Sequence, residues 1–157
     1  MPPKIITVKK GEILQNIGEL NTKVYVVKSG LLRSYTIDAK GKEHIYLFAP
    51  EKWIMADNIP ADVPAKLIID ALEDATLAVV EKKPDSAKDT MGLINRISVL
   101  QKRVIMLMSA TAIERYIDFI ETYPDIVKRV PQRMIASYLG ITPEALSRVR
   151  HQLAEKK

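Results

Sequence analysis

The chain has 157 residues, 47% hydrophobic and 27% charged with a net charge of +5, which suits one sizeable soluble domain or two small ones. With no cysteine it has no disulfide, no thiolate catalysis and no cysteine-ligated zinc or iron-sulfur site. No apolar run approaches the ~20 residues of a membrane span, and the opening MPPKIITVKK has no signal-peptide core, so a cytoplasmic protein without a membrane partner is expected.

From Ile5 to Val80 the signals are those of short strands. Ile5-Ile6-Thr7-Val8, Val24 to Val27, Leu31 to Ile37, His44 to Phe48, Lys66 to Ile69 and Thr76 to Val80 are rich in β-branched and aromatic residues. Ser29-Gly30 separates two of them, and Asp38-Ala39-Lys40-Gly41-Lys42 has the length and glycine of a hairpin loop. Strands at this spacing without intervening helices argue for an antiparallel roll or barrel. Pro50 to Pro64, with three prolines and the only Trp, is expected to be an irregular excursion containing one short helical turn.

After Lys82-Lys83-Pro84 the hydrophobic period changes. Leu93, Ile97, Leu100, Val104 and Leu107 follow steps of four, three, four and three, a heptad seam widened by Ile94, Ile105 and Met108. So broad an apolar face needs two partners, the roll and the same helix of a second subunit; packing inside one monomer is the alternative. Ser109 or Thr111 then caps a helix carrying Ile113, Tyr116, Ile117 and Ile120, which should end before Pro124. Pro124 and Pro131 bracket a single turn.

Gln132 to His151 reads as a helix-turn-helix. Gly140 can take the left-handed conformation that ends the first helix, Thr142 is a good N-cap, and Pro143 has a φ preset for the first helical position. Ile135, Leu139, Ile141, Leu146 and Val149 are spaced to share a small core, with Ala136 permitting a close helix crossing. The opposite stripe, Glu144, Ser147, Arg148 and His151, then has the placement of base-reading side chains. The plain alternative is a helical hairpin with a solvated face. Charge distribution bears on the choice: residues 1 to 90 hold 13 Lys+Arg and 13 Asp+Glu, whereas residues 91 to 157 hold 11 against 6. The excess gathers around the second helix, where Lys128, Arg129, Arg133 and Arg150, with the Thr142 hydroxyl, are candidates for phosphate contact.

These residues resemble the Crp-Fnr superfamily of bacterial transcription regulators, and most closely its short Bacteroidetes-type members. The resemblance runs through Lys10-Gly11-Glu12-Ile13-Leu14, Val27-Lys28-Ser29-Gly30-Leu31-Leu32-Arg33, Ala71-Leu72-Glu73-Asp74, Glu114-Arg115-Tyr116 and Val130-Pro131-Gln132 to Arg148. It implies an α+β chain in three parts: a cyclic-nucleotide-binding-like antiparallel β-roll or jelly roll (residues 1–90), a connecting and dimerisation helix (91–108) and a helix-turn-helix DNA-binding domain (109–157). Glu144, Ser147 and Arg148 match the Glu, Ser and Arg that Fnr-like recognition helices use on a TGA-containing half-site. RNA polymerase is a further partner that the resemblance implies.

Departures from the family pattern narrow the input signal. Pro50-Glu51 stands where cyclic-nucleotide binders have Gly-Glu, and no Arg lies near Val63-Pro64-Ala65-Lys66. A cyclic phosphate would lack its guanidinium, so no cAMP or cGMP response and no cofactor is expected. Glu51, Trp53 and Lys66 are the remaining candidates for a pocket for some other small effector, although Trp53 can equally be core and Lys66 solvated. His44 and His151 are the only histidines, which argues against haem or a metal-dependent enzyme. Pro143 stands where a basic residue is common in cAMP-receptor-like members, so one of their DNA contacts should be missing. Ten residues precede Gly11 and few follow His151, so neither a longer leading helical segment nor a β-hairpin wing is expected. The reading that follows is a non-enzymatic, homodimeric regulator of double-stranded DNA; the alternative is a ligand or protein sensor with vestigial DNA binding.

Overall fold

Alternation along β3 (Lys23–Ser29) shows how the first unit is built: Tyr25 and Val27 are buried, while their neighbours Val24 and Val26 stay half-exposed. The computed structural model describes residues 2–82 and 90–157. The chain divides into two compact units, Met1–Ala87 and Lys88–Lys157.

The first unit consists of two four-stranded antiparallel sheets. One has the order β1 (Lys4–Val8), β8 (Ala75–Glu81), β3 and β6 (Ile54–Met55). The other runs β2 (Ile13–Gln15), β7 (Ile68–Ala71), β4 (Leu32–Ile37) and β5 (Glu43–Ala49). Their inner faces meet in a core that includes Val8, Tyr25, Val27, Leu32, Met55, Ile69 and Leu77. Gly30 turns the chain from β3 to β4 with φ +91°, and a Cβ there would stand 2.5 Å from the Asp74 carbonyl oxygen. A side chain is thus excluded by backbone as well as by φ.

Three local expectations need correction. Strand β7 begins at Ile68 rather than Lys66, because the Asp57 carboxylate accepts the Lys66 and Leu67 amides at 2.8 and 3.0 Å. Those two donors are already satisfied outside the ladder. Residues 50 to 64 contain no helix, only two turns closed by the Trp53 and Val63 amides on the Pro50 and Pro60 carbonyls, and Ile54 and Met55 pair with Val26 and Tyr25 along the free side of β3. Strand β2, pairing with β7, was also not expected.

On the second sheet Arg33 and Asp70 are register partners across β4 and β7. The guanidinium donates from Nε and Nη2 to the two Asp70 oxygens at 2.8 and 3.0 Å and from Nη1 to Glu43 at 2.7 Å. It also lies 4.0 Å from the Tyr35 ring centroid.

The second unit is helical: α1 (Thr90–Ser109), α2 (Ala112–Thr122), a 3-10 turn (Ile126–Lys128), α3 (Gln132–Leu139) and α4 (Pro143–Glu155). Thr111 and Glu114 form a reciprocal capping box at the start of α2. Its buried stripe is Tyr116 and Phe119, continued by Tyr123. The expected Ile117 is 37% exposed, and Phe119 takes the inward position. Phe119, Tyr123 and Tyr138 make a three-ring cluster with centroids 5.4 to 5.8 Å apart. Among the described residues no helix is long and apolar enough to cross a membrane.

Candidate nucleic-acid interface

Helix α3 ends at Gly140, whose φ of +67° and ψ of 32° are left-handed. Its amide returns to the Ala136 and Ser137 carbonyls, and the Ile141 amide bonds Ala136 at 3.0 Å, closing the turn. Thr142 then has extended backbone, and its Oγ1 accepts the Ala145 amide at 3.1 Å. Pro143 opens α4 without needing an amide partner.

The rotation of α4 is fixed by what it buries. Leu146 and Val149 are 0% and 4% exposed against a core that includes Ile135, Ala136 and Leu139. Ile141, expected in that core, is only half-buried. On the other side Glu144, Ser147, Arg148 and His151 are all exposed, and their spacing of three, one and three makes them one stripe. Glu144 lies in the first turn, where the helix dipole favours an anion. His151 Nε2 is 3.0 Å from Glu155 Oε1 one turn on.

Around this stripe the cationic side chains differ in freedom. Lys128 and Arg133 are exposed, whereas Arg129 and Arg150 are half-buried. Thr142 is exposed too; its oxygen accepts an amide, which leaves its O–H proton available to an anionic oxygen.

In the heptad seam Leu93, Ile97 and Val104 are 55%, 63% and 54% exposed, and Leu100 is half-buried. Leu107 is 41% exposed and belongs partly to the turn: its Cδ2 would be 3.4 Å from a Cβ at Gly140.

The pocket candidates have local employment. Trp53 packs against the roll core. The Glu51 carboxylate accepts the Gly30 amide at 3.2 Å, and Lys66 is an exposed side chain on the backbone that Asp57 anchors. Two residues that sequence reasoning gave no role, Arg103 and Arg115, bond the Tyr138 and Leu139 carbonyls at 3.1 Å each. The sequence marked Arg115 only as part of Glu114-Arg115-Tyr116, and Arg103 not at all. Among the described residues no group of three or more His, Cys, Asp or Glu could hold a metal ion.

No family model matches the chain. The nitrogen fixation regulation protein FixK of Rhizobium meliloti (strain 1021) is 24% identical over 99% of this chain and 77% of its own length. The chain spans between 63% and 77% of the length of the curated relatives it matches. Among solved structures, FixK2 of Bradyrhizobium japonicum superposes with a TM-score of 0.80 at 21% identity, covering 99% of this chain and 86% of that one. A transcriptional regulator of the CRP/FNR family from Thermus thermophilus gives 0.74 at 16% identity, covering 98% and 87%.

The chain has the fold of the Crp-Fnr regulators. The Crp-Fnr order of elements, a cyclic-nucleotide-binding-like roll followed by helices ending in a helix-turn-helix, runs through this chain from β1 to α4.

Proposed function

We propose that this chain is a Crp-Fnr-type, sequence-specific regulator of transcription that binds double-stranded DNA as a homodimer and reads an inverted repeat. The observation that carries the reading is the exposed stripe of Glu144, Ser147 and Arg148 opposite the buried Leu146 and Val149. On a helix lying in the major groove, Arg148 suits a bidentate bond to guanine, Glu144 can accept from a cytosine amine, and Ser147 can contact either. His151 extends the stripe by a turn. Lys128, Arg129, Arg133, Arg150 and the Thr142 hydroxyl are assigned to phosphates, which set register without reading sequence.

Leu93, Ile97, Leu100, Val104 and Leu107 supply the dimer seam along α1, so that two α4 helices enter successive major grooves ~34 Å apart. The sensing roll is assigned to residues 1–90, of which 83–89 lie outside the described residues, the seam to 91–108 and the DNA domain to 109–157. The activity is regulatory rather than enzymatic, exercised in the cytoplasm with RNA polymerase as a partner. Cyclic AMP is not the effector. Glu51 is engaged with the Gly30 amide, and Lys66, the cation just past the end of the excursion, is a point charge without the fork that holds a phosphate.

Fluorescence anisotropy on a bound duplex tests the assignment of roles. Arg148→Ala should lose ~1–3 kcal/mol of discrimination at one base position. Arg133→Ala should weaken binding on every sequence and flatten the salt dependence by about one phosphate contact. Equal loss on all sequences in both variants would remove Arg148 from the base-reading face.

A further inference from the structure

A helix leaves its last four carbonyls without intrahelical partners. The last four residues of α3 are Ala136, Ser137, Tyr138 and Leu139, and the carbonyl of each has a partner. Gly140 and Ile141 amides cover Ala136 and Ser137 from within the turn. The other two are taken by side chains from elsewhere in the unit. Arg103 of α1 donates from Nη2 to the Tyr138 carbonyl at 3.1 Å, with its Cζ 3.9 Å from the Tyr138 ring centroid. Arg115 of α2 donates from Nη1 to the Leu139 carbonyl at 3.1 Å and from Nη2 to the Leu107 carbonyl of α1 at 2.7 Å.

We propose that Arg103 and Arg115 are positioning residues that clamp the C-terminal end of α3 and so fix the angle at which α1 presents α4. The inference rests on the DNA-binding reading of α4. Three features support it beyond the hydrogen bonds. Helix α3 has no basic residue in its own last turn, so the cations that favour a helix C-terminus come from α1 and α2. The turn is roofed by the same groups: a Cβ at Gly140 would meet Leu107 Cδ2 at 3.4 Å and Arg115 Nη1 at 3.6 Å. Arg115 also ties α2 to the last turn of α1, so its guanidinium joins three helices through two carbonyls. Only Gly140, Ile141 and Thr142 separate the clamped carbonyls from α4. A displacement of α1 that moves Arg103 and Leu107 therefore reaches the base-reading stripe through a span too short to absorb it.

Because the chain has no cysteine, single spin labels can be introduced at the exposed positions Gln101→Cys on α1 and Gln152→Cys on α4. Labelled chain diluted into unlabelled chain then gives an intrachain distance distribution, to be set beside the ratio of cognate to non-cognate DNA affinity. The clamp predicts one narrow distance in the parent. In the Arg103→Gln/Arg115→Gln variant the distribution should broaden while thermal unfolding stays cooperative, and the affinity ratio should fall roughly tenfold, about the loss of one base contact, with an unchanged salt slope. If the double variant does not fold, Arg103→Gln alone is read in the same way. A distribution as narrow as the parent's, or an affinity ratio that survives broadening, overturns the proposal. Broadening in a protein whose parent binds no DNA would leave the clamp standing and remove the regulator reading.

Discussion

Arg33 and Asp70 meet across β4 and β7 in a two-pronged ion pair, Nε to Oδ1 at 2.8 Å and Nη2 to Oδ2 at 3.0 Å, with both side chains about nine-tenths buried. Burial works against the guanidinium charge, but hydrogen bonds and charges from Asp70 and Glu43 outweigh it and hold Arg33 more firmly protonated than usual. Removing Asp70 leaves the buried guanidinium with the exposed Glu43 as its remaining carboxylate partner. Asp70→Ala should therefore destabilise the first unit by about 3 kcal/mol, the low end for a broken buried pair, whereas Arg33→Met/Asp70→Leu should come close to the parent. Urea unfolding checks both, and a double variant no better than Asp70→Ala would contradict the account.

The turn that delivers α4 should be sensitive at two positions for different reasons. Thr142→Ala loses the bond to the Ala145 amide and should cost about 1 kcal/mol. Gly140→Ala imposes a side chain on a left-handed residue and should cost about 1–2 kcal/mol. Thermal unfolding of the helical unit measures both, and a stabilising Gly140→Ala would mean that the turn relaxes into another conformation.

Acid stability has a traceable source in the roll. The His44 ring, then the Lys42 and Lys40 amides, hold the Asp38 carboxyl below its ordinary range, and the Lys10 amide and Lys9 ammonium do the same for Asp74. A depressed carboxylate contributes stability that is complete above its unfolded value and is lost as pH falls through its folded one. The loss therefore belongs below about pH 4. Asp38→Asn/Asp74→Asn should show a shallower decline in that window than the parent. Parallel acid limbs would assign the loss to other groups.

The helix-turn-helix was legible because its signals are local: Gly140, Thr142 and Pro143 each have one favoured role, and Leu146 with Val149 fixes the face left over. The α1 period and the hairpin at Asp38 to Lys42 were legible for the same reason. Strands β2 and β6 have three and two residues, too short for alternation to show, and they exist because β7 and β3 offer ladder partners. Arg33 and Asp70 are 37 residues apart in sequence, so nothing local marks them as a pair. The late start of β7 depends on Asp57, a loop carboxylate whose partners only the fold supplies. Arg103 and Arg115 read as ordinary helix-surface cations until the ends of α3 are accounted for.

The α1 seam makes a prediction about assembly. Ile97 is 63% exposed and Val104 54% in the single chain, an area that a second α1 would cover. Ile97→Glu/Val104→Glu should convert a sedimenting dimer to monomer and reduce DNA affinity, with the circular dichroism of the roll unchanged. A variant that still sediments as a dimer would move the subunit contact elsewhere.

Selection of bound duplexes from a random pool decides whether paired α4 helices read DNA through Glu144, Ser147 and Arg148. The parent should return an inverted repeat whose half-sites are separated by about one helical turn, and Arg148→Ala should lose preference at one position in each half-site. Selection that returns no palindromic consensus, or an Arg148→Ala consensus identical to the parent's, would contradict that role for α4.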